Sequence, residues 1–277
     1  MLVSLLGSGL ASCGSNIEAS HTIYTSFFPI YDLTSRIVGD KYKVSMIVPQ
    51  GLEPHSYEIS AKKVVELVDS KAIFINGLDM EYWYEQLPDS AKSKTVNLSS
   101  NIETIKINGI RDPHIWLNPN NAIKEMEIVT SYLCEIDKSN SGYYQDNFET
   151  NKKIFLDLDK SIKESFEGLR TNKIVVSHAA FGYFAKEYGL EQIYVKGLEP
   201  NEEPSAKVIE GIIETIKENN ITTIFSEELG ENEISKLISE ETGAKIETLS
   251  TLEMSVNNKD YVALMKENAN KIKEANK

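Results

Sequence analysis

Four histidines occur in this 277-residue chain, and three of them occupy the same kind of position. His55 closes Gly51-Leu-Glu-Pro-His55, His114 lies within Asp112-Pro-His-Ile-Trp-Leu-Asn-Pro119, and His178 lies within Val175-Val-Ser-His-Ala-Ala-Phe181. Each follows a segment that reads as a strand or tight turn and precedes one that reads as a helix. In an α/β protein that is the carboxyl edge of a sheet, where ligands bind. A single histidine at a strand end is ordinarily a hydrogen-bonded structural residue. Three in one setting, drawn from both halves of the chain, read instead as a ligand set. Neutral imidazole suits zinc, so the pattern predicts one transition metal, zinc, held in a cleft between two domains. The spacings are far longer than those of a zinc finger, so the ligands must come from separate loops. His21, before the first strand, is expected to be exposed and not a ligand.

Three imidazoles leave tetrahedral zinc one open place. Glu227, directly after a predicted strand in the second half, is the first candidate; Glu228, the Leu249-Ser-Thr251 turn and water are the others. Glu53 could bind or support the metal, although Pro54 between it and His55 limits joint coordination. Three histidines and a water would also describe a hydrolytic zinc site. The chain has no His-Glu-x-x-His helix, and a binding protein is the preferred reading.

The elements that must position these residues alternate regularly. Short β-branched segments at Thr22–Ser26, Lys43–Pro49, Ala72–Ile75 and Thr95–Leu98 read as strands. They are separated by helices starting near Pro29, capped by Ser60, and running from Leu78 to Leu87. A helix follows from Asn120 to about Ile136. Residues 143–169 are charged and glycine-free until Gly168, with Phe148, Phe155, Leu158, Ile162 and Phe166 near the helical period. A helix of roughly 27 residues would be about 40 Å long, enough to span a domain and act as a strut. The rhythm restarts with strands at Lys173–Val176, Gln192–Val195, Thr222–Phe225 and Lys245–Leu249. Their helices run over Ala179–Tyr188, from Pro204 to Glu218, from Asn232 to Gly243, and from Lys259 to Ala275. This is an α/β chain with two lobes, each a mostly parallel four-stranded sheet flanked by helices, joined by one long backbone helix. The expected boundaries are 1–20 for a leader and tether, 21–142 for the first lobe, 143–169 for the linking helix and 170–277 for the second lobe.

A net charge of −13 argues against a nucleic-acid partner, whose phosphates need a basic face. Two cysteines make a disulfide framework improbable. Cys134 sits at an apolar position and reads as a small buried hydrophobe. Met1 to Cys13 is short and apolar and ends in Leu10-Ala-Ser-Cys13, which resembles a bacterial lipobox with lipidation at Cys13. The positive start of a signal peptide is missing, and no later stretch reaches the length of a membrane span.

These segments, with Ser26-Phe-Phe-Pro-Ile-Tyr-Asp-Leu33, Val48-Pro-Gln-Gly-Leu-Glu-Pro-His-Ser-Tyr-Glu58, Asn76-Gly-Leu-Asp-Met-Glu81, Ser177-His-Ala-Ala-Phe-Gly-Tyr-Phe184 and Glu202-Glu-Pro-Ser205, carry a family resemblance. The chain resembles, from Ile23 to its C-terminus, the metal-binding lipoproteins of bacterial ABC importers for zinc and manganese, the cluster A-I solute-binding proteins. The resemblance implies two lobes on a long helix, with His55, His114 and His178 at the ligand positions. Manganese members tend to have glutamate where this chain has His178, so the third imidazole implies the zinc type, with manganese as the alternative. Members often have an aspartate ligand where this chain has Ser250, which favours Glu227 or water as the fourth. Ser99 to Arg111 is short and lacks the histidine-rich loop of many zinc members. The implied partners are a permease with its ATPase and, through the lipid on Cys13, the outer face of the bacterial cell membrane. The implied state is a non-enzymatic monomer, with a surface adhesin or a zinc hydrolase as the competing readings.

Overall fold

The computed structural model describes residues 21–199, 203–228 and 233–277; the expected lipobox and Cys13 lie outside them. The chain opens with the fully buried strand β1 (Thr22–Thr25) and helix α1 (Phe28–Val38), which Pro29 starts and Gly39 ends. Strand β2 (Lys43–Met46) and helix α2 (Ala61–Val68) follow, and the Ser60 hydroxyl accepts from the Lys63 amide to cap that helix. Next come β3 (Ala72–Ile75), the short α3 (Asp89–Lys92), β4 (Thr95–Asn97), the hairpin of β5 (Lys106–Ile107) and β6 (Ile110–Arg111), and α4 (Pro119–Ile136). The long helix α5 (Ser141–Ser165) leads into β7 (Lys173–His178), α6 (Gly182–Tyr188), β8 (Glu191–Lys196) and α7 (Ala206–Glu218). The chain ends with β9 (Thr223–Ser226), α8 (Glu233–Thr242), β10 (Lys245–Thr248) and α9 (Tyr261–Ala275).

The two main sheets are parallel throughout and share one topology. Their orders are β2-β1-β3-β4 and β10-β9-β7-β8, each of which reads 2-1-3-4 when its strands are numbered in chain order. The direction of winding therefore reverses between strands one and three of each sheet, the place where an α/β sheet opens a crevice at its carboxyl edge.

Three local expectations give way to other structure. Leu78–Leu87 is not one helix but a bend followed by a 3-10 turn over Tyr82–Gln86. Leu78 and Asp79 take left-handed φ values of 57° and 65°, and the Glu81 carboxylate accepts from the Asn76 and Gly77 amides. That local bonding satisfies the backbone before a helix can start. The polar stretch after β4 holds the β5–β6 hairpin, turned at Asn108-Gly109, a pair that tolerates positive φ. Helix α7 starts from a Ser205 cap, with the hydroxyl accepting from Val208, and Pro204 stands outside it.

Helix α5 is about 38 Å long at 1.5 Å per residue. It buries Tyr144, Phe148, Phe155, Leu158 and Ile162 against α1 and α4 from the first lobe and α9 from the second. Phe155 stacks on Tyr261 of α9 with ring centroids 4.9 Å apart. Each such side chain contributes about 1.5–3 kcal/mol by leaving water. The main hydrophobic core is continuous from Ile23 and Trp116 through Phe155 to Phe184 and Ile272, so apolar packing ties the lobes together behind the cleft.

Candidate metal centre

His55 and His114 are placed by short hydrogen-bonded turns, and His178 by the end of a strand. After β2 the pairing continues as Ile47 and Val48 donate to the Thr25 and Ser26 carbonyls, and the chain then turns through the 3-10 segment Pro54–Ser56. The Glu53 side chain accepts from the His55 amide at 3.1 Å and caps that turn. His114 follows the hairpin. Asp112 Oδ1 accepts from the His114 amide at 2.9 Å and lies 2.8 Å from its Nδ1, and the Asn76 amide group donates to the Pro113 carbonyl. His178 is the last residue of β7, in register with Lys196 of β8.

The three rings converge. His114 Nε2 is 3.2 Å from His55 Nε2 and 3.2 Å from His178 Nε2. The fourth member of the cluster is Glu253, whose Oε1 lies 3.4 Å from His55 Nε2 and 3.8 Å from His114 Nε2. All four donor atoms lie within 4.8 Å of one another, and all four residues are buried. A zinc ion with ligands at about 2.0–2.1 Å in tetrahedral geometry separates its ligand atoms by about 3.3 Å. The separations of 3.2, 3.2, 3.4 and 3.8 Å lie near that edge length, so three nitrogens and one carboxylate oxygen could hold a four-coordinate ion.

Glu253 is reached by a strained turn. Asn268 of α9 holds both backbone groups of Ser250, accepting from its amide at 2.9 Å and donating to its carbonyl at 2.6 Å. The Ser250 hydroxyl accepts from the Leu252 amide, and Leu252 takes a left-handed φ of 60° with its side chain fully buried. A non-glycine residue there stores roughly 1–3 kcal/mol, maintained because the surroundings fix it. Trp116 Nε1 donates to the Thr251 carbonyl at 2.8 Å, and Tyr261 donates to the Trp116 carbonyl, so the turns bearing His114 and Glu253 are pinned together. Gln50, in the loop that carries His55, accepts from the Ser255 amide at 2.9 Å.

Carboxylates also stand behind the rings, on Nδ1. Asp112 takes that position for His114. Glu227 Oε1 lies 2.7 Å from His178 Nδ1, off the line of a well-formed hydrogen bond, and accepts from the Ser177 hydroxyl at 2.6 Å. Glu199 stands 3.8 Å from His55 Nδ1. Metal-bound imidazoles are commonly oriented by such partners, which leave Nε2 for the ion.

The structure thus brings His55, His114 and His178 together with Glu253, and stands Glu227 behind His178, outside that group. Glu228 is not among the acidic, histidine or cysteine residues of this cluster. Glu253 was absent from the sequence candidates. The one available signal was a lone acid in the apolar run Leu249-Ser-Thr-Leu-Glu-Met-Ser-Val256, just beyond the last strand.

The electrostatics fit a site made for a cation. Burial pushes the Glu253 carboxyl up to about 8, with Glu227 and Glu228 adding to the rise and His178 opposing it. Burial likewise raises Glu53 to about 7. His55 is held below its ordinary value by burial, and His114 well below by burial and then by His178 and His55. Burial also works against ionised Glu227, but His178 and Ser177 outweigh it and keep that carboxyl below its usual range.

Comparison with known proteins agrees with this geometry. Residues 23–275 match the profile of a family described as "Zinc-uptake complex component A periplasmic" (ZnuA). The "High-affinity zinc uptake system protein ZnuA" of Bacillus subtilis is 31% identical over 303 residues, covering 99% of this chain and 94% of that protein. The "Zinc-binding lipoprotein AdcA" of Streptococcus pneumoniae is also 31% identical, over 99% of this chain and 60% of its own, longer sequence. Among solved structures, the laminin-binding protein Lmb of Streptococcus agalactiae, described as bifunctional with adhesin and metal-transporting activity, superposes with a TM-score of 0.87. It is 30% identical and covers 92% of this chain and 99% of that one.

Proposed function

The chain belongs to the ZnuA family of zinc-uptake components, and we propose that it captures Zn²⁺ outside the cytoplasm and delivers it to an ABC permease driven by its ATPase. The observation that carries this reading is the buried cluster of His55, His114, His178 and Glu253 at tetrahedral spacing. His55, His114 and His178 supply Nε2, and Glu253 supplies the fourth donor. Glu227 orients His178, in place of the ligand role suggested by its position after β9. A third imidazole in place of a carboxylate makes the set softer than manganese prefers and favours zinc.

Capture and release follow from the packing. Burial holds His55 and His114 below their ordinary values and so favours the neutral rings whose lone pairs meet the ion. Helix α5 and the continuous core restrict wide hinge opening. Release therefore proceeds through smaller movements, of which the His55 loop is the best placed, since it touches the second lobe through Gln50 and Glu199.

The remaining parts of the reading lie further from the metal. The first lobe takes residues 21–142, the linking helix 143–169 and the second lobe 170–277. Cys13 carries the lipid that tethers a monomer to the outer face of the cell membrane; no helix among the described residues is long and apolar enough to cross it. The protein is not an enzyme, because Glu253 fills the place that a hydrolytic zinc centre keeps for water. A second reading, adhesion to laminin, has support from streptococcal neighbours described as laminin-binding proteins. Calorimetric titration of metal-free protein tests the main reading. Zinc binds at one site per chain, far more tightly than manganese, and His114→Ala weakens it at least about a hundredfold, since a structural zinc site is worth about 10–16 kcal/mol shared among four ligands. No zinc binding, or equal affinity for manganese, would reject it.

A further inference from the structure

We propose that Gly182 and Tyr183, at the start of α6 in the second lobe, are positioning residues for the His114 ligand in the first lobe, acting through Asp112. The inference deepens the zinc-binding reading and rests on it. Gly182 has an ordinary helical backbone, with φ −58° and ψ −47°, so conformational freedom does not explain a glycine there. Space does. A Cβ on residue 182 would lie 2.6 Å from Asp112 Oδ2 and 2.8 Å from Ile105 Cδ1. Real Cβ contacts do not come that close, so one of those neighbours would have to move.

Asp112 has little room to do so. Its side chain is fully buried, and Oδ1 is committed to both the amide and Nδ1 of His114. The adjacent Tyr183 hydroxyl donates to the Asp112 carbonyl at 2.9 Å and accepts from the Ile105 amide at 3.1 Å. One turn of the second lobe thus holds Asp112 twice, through its backbone by Tyr183 and against its carboxylate by the bare Cα of Gly182. Moving the carboxylate turns the ring that it orients, because Nδ1 and the amide of His114 share the same oxygen.

The same segment bears a ligand of its own. His178 lies four residues before Gly182, so the two histidines come from different lobes yet belong to one mechanical unit. This assigns a task to the Gly182-Tyr183 pair of one sequence motif and the aspartate of another, a contact that neither motif reveals alone.

The test is zinc titration of the full chain as wild type, Gly182→Ala, Gly182→Ala/Ile105→Val and Tyr183→Phe. Nitrogen-15 NMR of the zinc-loaded forms follows the Nδ1–H signal of His114. Gly182→Ala is expected to weaken zinc about 10–100-fold, the usual effect of disturbing a residue that orients a ligand. The loss persists when Ile105→Val removes the aliphatic crowding, and the His114 Nδ1–H signal shifts or is lost. Wild-type affinity in Gly182→Ala, or recovery in the double variant, would overturn the proposal. Should the alanine variants not fold, Tyr183→Phe, which adds no volume, decides: unchanged affinity and an unchanged His114 signal overturn it. Failure of the wild type itself to bind zinc would reject the function proposed above, and this inference with it.

Discussion

Zinc binding at neutral pH should expel a proton from Glu253. With its carboxyl pushed to about 8 by burial, Glu253 is about nine-tenths protonated in the metal-free protein at pH 7. His55 and His114 are held below their ordinary values, chiefly by burial, which favours their neutral form. Removing a proton from a group one unit above the working pH costs about 1.4 kcal/mol, roughly a tenfold loss of apparent affinity. Apparent zinc affinity should therefore rise about fivefold between pH 7 and pH 8 and about tenfold by pH 9, and flatten above that. The assay is calorimetry at pH 7 in buffers of different ionisation enthalpy, in which the slope of the observed heat counts protons. The wild type should release about 0.9 proton from Glu253, and Glu53, raised to about 7, can add up to about half a proton as zinc approaches. Glu253→Gln should lower the count by about 0.9 and bind zinc more weakly. A proton count that Glu253→Gln leaves unchanged would refute the assignment of Glu253 as a ligand that must ionise.

The remaining predictions concern the supports of the site. Glu227→Gln should weaken zinc about 10–100-fold while the cobalt-substituted protein keeps a tetrahedral absorption spectrum; a change of coordination geometry would mean that Glu227 binds the metal directly. Metal-free protein should melt higher at pH 5.5 than at pH 8. The raised groups Glu253, Glu53, Glu81 and Asp112 contribute stability that is complete below about pH 4.5 and lost as pH rises through 7 to 8. His55 and His114, with depressed values, act oppositely below their ordinary pKa but are fewer; zinc should raise the melting temperature most at pH 8, and a metal-free optimum at pH 8 would contradict this. Trp116→Phe should destabilise the protein by about 1–3 kcal/mol, measured by urea unfolding, because it leaves the buried Thr251 carbonyl without its donor.

Much of this architecture was legible from local chemistry. Residues with strong signals fell where expected: Ala72–Ile75 as a strand, Ser60 as a helix cap, Gly189 as a left-handed C-cap with φ 69°, and Phe155, Leu158 and Ile162 as the buried face of the long helix. The three histidines were legible because each stands at a change from strand or turn to helix. The failures share a cause, in that side-chain contacts distant in sequence outweighed local pattern. Leu78–Leu87 looks helical until Glu81 folds back on Asn76 and Gly77. The approach of Glu253 to the three histidines was invisible because its turn depends on Asn268, Trp116 and a left-handed Leu252, contacts that sequence does not reveal. The role of Gly182 emerged only when Asp112, seventy residues earlier, came into contact with it.

The most direct test is a crystal structure of the zinc-loaded protein with anomalous scattering recorded on both sides of the zinc edge. One strong peak per chain is expected, at about 2.0–2.2 Å from Nε2 of His55, His114 and His178 and from a carboxylate oxygen of Glu253. A peak elsewhere, or a zinc ion bound without two or more of these four residues, would contradict this expectation.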